Sequence, residues 1–325
     1  MVQQSVPSWR VRLTLITFGV VLALGVGESV LRIARFHFDF VPALQFGWPD
    51  PAALTEAYRP DPDLVWVTKD YTQALAAARR SHPAIVFMGD SCTEFGSYPA
   101  RTIEKLKAAG SELSTGVKLG VGGWSSEQGL TQFRRDIERL HPRVVTIYYG
   151  WNDHWVAMGL TDPEITGAHS LRSLARVSRL AQLWLRFRVS MAARRTPPPN
   201  RVPLPRYEDN LRRLAREAQS VGTVAVFVTA PSNHVPGHEP AYLARRHVRS
   251  LSELVPLHTA YVDATRRIAR EVDAPLCDAA AAFAALPQPH DRYFRSDGIH
   301  LTEQGDEEMA AILTGCLLKA SEQHR

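Results

Sequence analysis

Four short stretches hold residue types that together can carry out acyl transfer. Gly89-Asp90-Ser91 closes the apolar run Ala84–Met88. Gly122-Gly123-Trp124-Ser125 and Gly150-Trp151-Asn152-Asp153 come later, and Ser296-Asp297-Gly298-Ile299-His300 lies near the C-terminus. A serine hydroxyl is a poor nucleophile until a base takes its proton, and histidine is the usual base at neutral pH. Asp297 stands three residues before His300. One turn can therefore bring its carboxylate to Nδ1, where it would fix the tautomer and stabilise the imidazolium. The tetrahedral intermediate also needs hydrogen-bond donors. A backbone N–H of the Gly122-Gly123 pair, the Asn152 carboxamide and the N–H of Ser91 itself are the candidates. Each stretch alone has a plainer reading: a strand and its turn, a glycine loop, an Asn-Asp turn, a helix entry capped by Asp297 or Thr302. Their order, and the strand expected before three of them, argue for one site.

The elements that would position these residues follow from periodicity. Strands are expected at Ala84–Met88, near Val117–Leu119, at Val144–Tyr149, at Thr223–Thr229 and at Pro275–Cys277. Val144–Tyr149 is the strongest of them, a β-branched and aromatic run. Helices are expected around Ala100–Ala109, Ser126–Leu140, Tyr207–Gln219, between Ala241 and Val272 with a break near Pro256, and at Thr302–Lys319. Strands alternating with helices imply a parallel α/β sheet covered on both faces. Ligands in such sheets sit beyond the C-terminal strand ends, where Ser91 falls.

Two regions interrupt this pattern. Residues 34–80 carry prolines and aromatics (Phe36, Phe38, Phe40, Trp48, Trp66) with little periodicity, which reads as a spacer packing partly on the domain that spans 81–325. Between Ile165 and Tyr207 there is no acidic residue, but there are nine arginines: 172, 176, 179, 186, 188, 194, 195, 201 and 206. Leu171, Leu174, Val177, Leu180, Ala181, Trp184 and Leu185 fall at helical spacing before Pro197-Pro198-Pro199. The insertion at about 155–206 thus contains a basic amphipathic helix and a proline hinge. A solvated surface helix, docking on anionic lipid headgroups and grip on an anionic polymer all fit it.

The N-terminus points to a membrane. Arg10 and Arg12 precede Leu13–Gly27, which holds no charge. Extending to Ile33 gives about 21 residues, with Glu28 and Arg32 near one end where they can reach headgroups. Residues 1–33 read as a single anchor helix, its basic end in the cytoplasm and the catalytic domain in the periplasm or outside the cell. A cleaved signal peptide is the rival, with small residues at Ala23-Leu24-Gly25. Either places the domain outside the cytoplasm.

The rest of the composition excludes more than it identifies. The 325 residues, 45% hydrophobic and 22% charged, suffice for one sizeable core. A net charge of +5 comes with no interleaving of aromatics and Lys/Arg, so it is read as local and not as a nucleic-acid footprint. Cys92, Cys277 and Cys316 are too few and scattered for a disulfide framework or zinc site. A Cys277–Cys316 bridge is open in an oxidising compartment, with unpaired core cysteines the favoured reading. No His/Cys/carboxylate cluster has metal-ligand spacing, and no glycine loop has the phosphate-binding form.

The four stretches together resemble the SGNH hydrolase family, also called GDSL-type esterases and lipases. GDSCTEFG is similar to its first block, with Ser91 as nucleophile. VGGWSSEQGL is similar to the second, its glycine aligning best with Gly123. GWND matches Gly-x-Asn-Asp, placing Asn152 as oxyanion donor, and DGIH matches Asp-x-x-His, placing Asp297 and His300 as acid and base. The resemblance spans about Ile85 to Leu317. It implies a flavodoxin-like three-layer α/β/α sandwich and ester hydrolysis without metal or cofactor. Cys92 stands where many members carry Leu, and the basic insertion matches none of the blocks. The activity so implied is that of a serine esterase on O-acyl esters; the location outside the cytoplasm and the basic insertion add O-acetyl groups on a cell-surface glycan as the expected substrate. An O-acyltransferase sharing the same acyl-enzyme, and a non-catalytic binding or assembly protein on a hydrolase scaffold, are the alternatives.

Other residues have roles beside these. Asp90 and Asp153 are expected to brace their loops and Cys92 to be a packed thiol. His154 and Trp155, directly after Asn152, are candidates to line the acyl or alcohol site. Asn233 and His234, beyond the fourth strand, are candidates for substrate contact.

Overall fold

The computed structural model describes residues 8–38, 56–245 and 247–323. Phe40 and Trp48 of the expected spacer lie outside these residues. Helix α1 (Trp9–Ile33) has none of its residues buried and meets the rest of the chain near its C-terminal end. Strands β1 (Tyr58–Asp61) and β2 (Val65–Thr68) pair antiparallel, and α2 (Tyr71–Ser81) follows. The expected spacer is thus regular structure over its second half, with Tyr58, Trp66 and Tyr71 in the core. Its strands are four residues long, too short to show a period.

The alternating part opens with β3 (Ile85–Gly89), the short α3 (Ser91–Phe95), α4 (Tyr98–Ala108) and β4 (Gly116–Lys118). Then come α5 (Ser126–Gln132), β5 (Val144–Tyr148) and a one-turn α6 (Trp151–His154). The helix expected to Leu140 is α-helical only to Gln132, and continues as a π turn and a 3-10 turn. The insertion supplies α7 (Asp162–Gly167), α8 (His169–Ala175) and α9 (Arg179–Ala192), so its amphipathic stretch is two helices broken at Arg176–Ser178. Helix α10 (Leu204–Ser220), β6 (Val224–Val228), α11 (Leu254–Glu271), β7 (Leu276–Cys277), α12 (Ala279–Ala284) and α13 (Glu303–Gln323) complete the chain. Pro256 does not break α11. It sits in the first turn, where a missing N–H loses no helical bond, and the break expected there falls earlier, in two 3-10 turns at Ala241–Arg245 and Leu251–Glu253.

The sheet is five-stranded and parallel in the order β4-β3-β5-β6-β7. Counted from β3, that is 2-1-3-4-5, a doubly wound order whose direction reverses between β3 and β5. Both faces are covered. Val86, Met88, Val145, Ile147 and Phe227 pack under α2, α5, α10 and α11. Ile85, Phe87, Val144, Tyr148 and Val226 pack under α4, α12 and α13. The two-residue alternation of strand side chains sends successive residues into two cores, which is why β3 and β5 read as continuous apolar runs. The α/β/α sandwich therefore puts the ends of β3 and β5, and the loops after them, at the switch point where such sheets bind ligands.

Cys277 on β7 and Cys316 on α13 form a disulfide, with Cα atoms 5.5 Å apart. This corrects the favoured reading of unpaired cysteines. The strand-to-helix packing that brings the two together spans 39 residues of sequence and left no mark in the spacing. Cys92 is buried and free, as expected. Closing so long a loop restricts the unfolded chain. Cys316→Ser is expected to lower the unfolding free energy by about 2–4 kcal/mol, checked by urea denaturation against the oxidised wild type.

Candidate active site

The end of β3 is built to present Ser91. Gly89 has no room for a side chain: an added Cβ would lie 2.9 Å from both the Tyr148 carbonyl oxygen and Thr93 Cβ. Asp90 caps α3 by accepting from the Cys92 N–H at 2.9 Å. Ser91 is the first residue of that helix, and its own N–H has no intramolecular acceptor among the described residues. Cys92, next to it, is inert as a nucleophile because burial and the Asp90 charge push its thiol well up.

His300 reaches Ser91 from a turn between a 3-10 turn at His290–Arg292 and α13. The Ser91 hydroxyl lies 2.8 Å from His300 Nε2, and His300 Nδ1 lies 2.7 Å from Asp297 Oδ2. A carboxylate only accepts, so Nδ1 carries the proton and Nε2 is free to accept from the hydroxyl. The Asp297 Oδ1 accepts from the N–H groups of Ile299 and His300. Burial pushes the Asp297 carboxyl up, but the His300 side chain and those two N–H groups outweigh it and hold the group at about 2.

A second loop arrives from β4. Val121 to Trp124 is a tight turn closed by the Trp124 N–H on the Val121 carbonyl, 3.2 Å, with Gly123 at φ +78°. Glycine alone adopts that angle without strain. The Gly122 carbonyl accepts from Trp66 Nε1 at 2.9 Å. That carbonyl and the Gly123 N–H belong to one peptide plane, so Trp66 on β2 fixes the direction of the Gly123 N–H. The Gly122 N–H is taken by Glu94, whose carboxylate also accepts from Tyr58 at 2.8 Å. Of the two glycines, therefore, Gly123 keeps its donor: among the described residues it has no acceptor.

The third loop carries Asn152 on α6, after Gly150 at φ +136°. Its Nδ2 donates to Asp90 Oδ2 at 3.1 Å. A carboxamide has two N–H groups, so one remains for a ligand. Asp153 is buried and accepts from the N–H groups of Ser126 and Gly150 at 3.0 and 3.1 Å, which ties this loop to the start of α5. Burial lifts the Asp153 carboxyl to about 7. Asp90 and Asp153 thus brace their loops as the residue types suggest.

A hydroxyl, a base, an orienting carboxylate and three donors on loops of one sheet edge match the chemistry of acyl transfer. Residues 87–307 match the sequence profile of the GDSL-like Lipase/Acylhydrolase family, well over half of the chain. The chain belongs to this family. It is an SGNH/GDSL-type hydrolase, with the esterase or acylhydrolase activity that defines the group. Among curated proteins none matches it in sequence. Several solved structures are similar to it in part. A lipase/acylhydrolase from Enterococcus faecalis is 17% identical, with 71% of this chain and 93% of that one covered at a TM-score of 0.48. A GDSL-like lipase from Bacteroides thetaiotaomicron is 18% identical, with 77% and 98% covered at 0.47. An acetyl-xylooligosaccharide esterase from Geobacillus Stearmophilus is 18% identical, with 73% and 92% covered at 0.45.

Of the four candidates for substrate contact in this GDSL-like hydrolase, two lie away from the site and two lie beside it. His154 and Trp155 are in the packed interior, not on a cavity wall. His154 Nε2 pairs with His258 Nδ1 at 3.2 Å, and the His258 Nε2 donates to the Ala230 carbonyl at 3.0 Å. Burial, together with the neighbouring His258, keeps His154 neutral. The one-turn helix α6 points Asn152 to the site and His154 into the core, and Trp155, just past its end, is buried as well. Asn233 and His234 do reach the site, but through the Asp297 loop. The Asn233 N–H donates to the Gly298 carbonyl at 3.0 Å, and His234 Nε2 donates to the Asp297 carbonyl at 2.8 Å. They support the turn that aims Asp297 at His300.

Two residues at the GDSL-like site had no assigned place in the sequence reading. Phe95 ends α3 half-exposed, its ring centroid 5.8 Å from that of His300, and offers the apolar surface beside the hydroxyl. Arg201, one of the nine arginines of the insertion, is 1% exposed. It donates to the Gly123 carbonyl at 2.7 Å, to Asn152 Oδ1 at 3.3 Å and to both oxygens of Asp162 at 3.1 and 2.9 Å. One guanidinium therefore joins two of the three loops. Its own segment is strapped in place by the Arg201 N–H on the Trp155 carbonyl, 2.7 Å, and the Val202 N–H on the Asp153 carbonyl, 2.9 Å.

Proposed function

We propose that this hydrolase is a serine esterase working through an acyl-enzyme on Ser91. The observation that carries the reading is the continuous hydrogen-bonded path from the Ser91 hydroxyl through His300 to Asp297. Ser91 Oγ attacks the ester carbonyl carbon while its proton passes to His300 Nε2. The N–H groups of Ser91 and Gly123 and the free amide hydrogen of Asn152 hold the oxyanion. The intermediate collapses, and the leaving alcohol takes the proton from His300. Water then gives a proton to His300 and attacks the acyl group. The acid departs and Ser91 recovers its hydrogen. Asp297 stays ionised throughout and steadies the imidazolium. A fluorophosphonate probe should label Ser91, read by peptide mass. Absence of label on folded protein would sink the reading.

The substrate class is an O-acyl ester, with O-acetyl groups on a cell-surface glycan as the form its location favours. Helix α1 supports that location: 25 residues, mean hydropathy 1.9 in its most apolar window, and none buried. At 1.5 Å per residue it is about 37 Å long, enough for a hydrocarbon core of about 30 Å. Arg10 and Arg12 at its start favour the cytoplasm for that end, with the hydrolase domain across the membrane. The Cys277–Cys316 disulfide fits the same side, since such bonds persist in oxidising compartments.

The pH dependence follows from Asp297. Its folded value of about 2 is below the unfolded carboxylate range, so its contribution to stability is present above about pH 4 and is lost as pH falls through about 2. The unfolding free energy should therefore lose the Asp297 contribution only as pH falls from about 4 through about 2, checked by urea denaturation across that range. A loss of that contribution already complete well above pH 4 would contradict this.

A further inference from the structure

We infer that α9 is an interfacial membrane-docking helix, locked to the end of α1 and seated in the headgroup layer on the hydrolase-domain side of an anionic bilayer. The inference rests on the reading of α1 as a membrane span. It is carried by an apolar stripe that stays exposed among the described residues. Leu183, Trp184, Phe187 and Met191 recur at helical spacing along α9 and are 42–54% exposed. The Trp184 and Phe187 rings stack on each other with centroids 5.5 Å apart. Leu174 and Val177, just before α9, are 53% and 68% exposed. The opposite face of α9, with Ala181, Leu185 and Ala192, is buried in the domain. A solvated helix does not need an aromatic and aliphatic stripe, and contiguous exposed apolar surface of this kind marks an interaction site.

The occupant follows from what α9 is joined to. Glu28, in the last turns of α1, accepts from Ser178 Oγ and from the N–H groups of Arg179 and Leu180, all at 3.0 Å. A carboxylate of the span thus caps the N-terminus of α9, satisfying two backbone donors that have no helical partner. Arg32 pairs with Glu28 and donates to the Val177 carbonyl at 2.6 Å. Gly27 lets α1 and α9 close up: an added Cβ would lie 3.3 Å from Leu180 Cδ2. The chain leaving α1 then runs beside α9, with the Phe38 N–H on Gln182 at 3.2 Å and Arg186 over the Phe36 ring. Helix α9 therefore starts level with the end of α1, at the depth where Trp is favoured in bilayers. Arg188, four residues after Trp184, and Arg194, three after Met191, border the stripe and suit anionic headgroups.

The test uses the full chain in phosphatidylcholine/phosphatidylglycerol vesicles with one added cysteine at a time: Gly19→Cys, Phe187→Cys or Ser220→Cys. The native thiols do not compete, because Cys92 is buried and the other two are bonded. A fluorophore at 19 should be quenched by nitroxide-bearing lipid. At 187 it should also be quenched, more by a shallow nitroxide than by a deep one. At 220 it should be quenched only by aqueous iodide. Adding Trp184→Glu and Met191→Glu should return the 187 label to iodide while hydrolysis of a water-soluble nitrophenyl ester stays unchanged. Strong iodide quenching at 187, with 19 still lipid-quenched, would overturn docking and leave the span intact. Shielding of 187 from both quenchers, lifted by lowering the protein-to-lipid ratio, would assign the stripe to a second copy and also overturn it. Loss of lipid quenching at 19 would remove the span and the docking together.

Discussion

Ser91→Ala is expected to lower kcat/KM for p-nitrophenyl acetate and butyrate by on the order of 10⁴ or more, with no loss of fold. The magnitude follows from what the hydroxyl does. Without it no acyl-enzyme forms, and only the oxyanion donors and binding surface remain to assist direct attack by water. The fold should tolerate the change because Ser91 Oγ has His300 as its partner and the α3 cap is made by Asp90, not by Ser91. Residues of one catalytic unit are not additive, so His300→Ala in the Ser91→Ala background should cost little more. A mutant retaining a tenth of wild-type turnover would rule out Ser91 as the nucleophile. A wild type as inert as the mutant on both esters would move the chemistry to a specific acceptor or a binding role.

The parts of this molecule that sequence exposes are those where local pattern and chemistry coincide. Strands buried on both faces read as unbroken apolar runs, so β3 and β5 stand out, and with them the loops that end in Ser91 and Asn152. The Asp297–His300 pair is local as well, three residues apart in one turn. What escaped depends on contacts far apart in the chain. Tyr58 and Trp66 hold the Gly122–Gly123 loop from two four-residue strands. Cys277 finds Cys316 across 39 residues. The residues after Asn152 invite a place in the pocket, but a single helical turn swings His154 and Trp155 inward. Arg201 is the sharpest case. In sequence it is one arginine among nine, in a stretch without any acid. Its carboxylate partner, Asp162, lies 39 residues back, before that stretch begins.

Arg201→Met should separate the structural role of that buried cation from its role at the site. Removing the guanidinium leaves Asp162 ionisable and buried, with Ser125 as its remaining side-chain donor, at 2.7 Å. Breaking one side of a buried pair costs about 3–5 kcal/mol, so the single variant should be markedly less stable, and lost activity alone would prove nothing. Arg201→Met with Asp162→Leu removes both charges and should recover much of that stability, because apolar replacement of a buried pair is often close to neutral. Ser125 keeps Gln128 as a partner at 2.8 Å in that variant. The site should not recover. Asn152 Oδ1 and the Gly123 carbonyl would both lose their donor, and the oxyanion contact that Asn152 makes is used only in the transition state. Loss of a whole oxyanion donor costs about 10²–10³ in kcat, which sets the ceiling and is the effect expected of Asn152→Ala. The double variant should lose about 10- to 100-fold in kcat, with kcat/KM falling in parallel and KM nearly unchanged. Arg201→Lys should fall between the two, since a point charge cannot replace a planar fork that bonds three residues at once. A stable double variant with wild-type kcat would make Arg201 a purely structural residue.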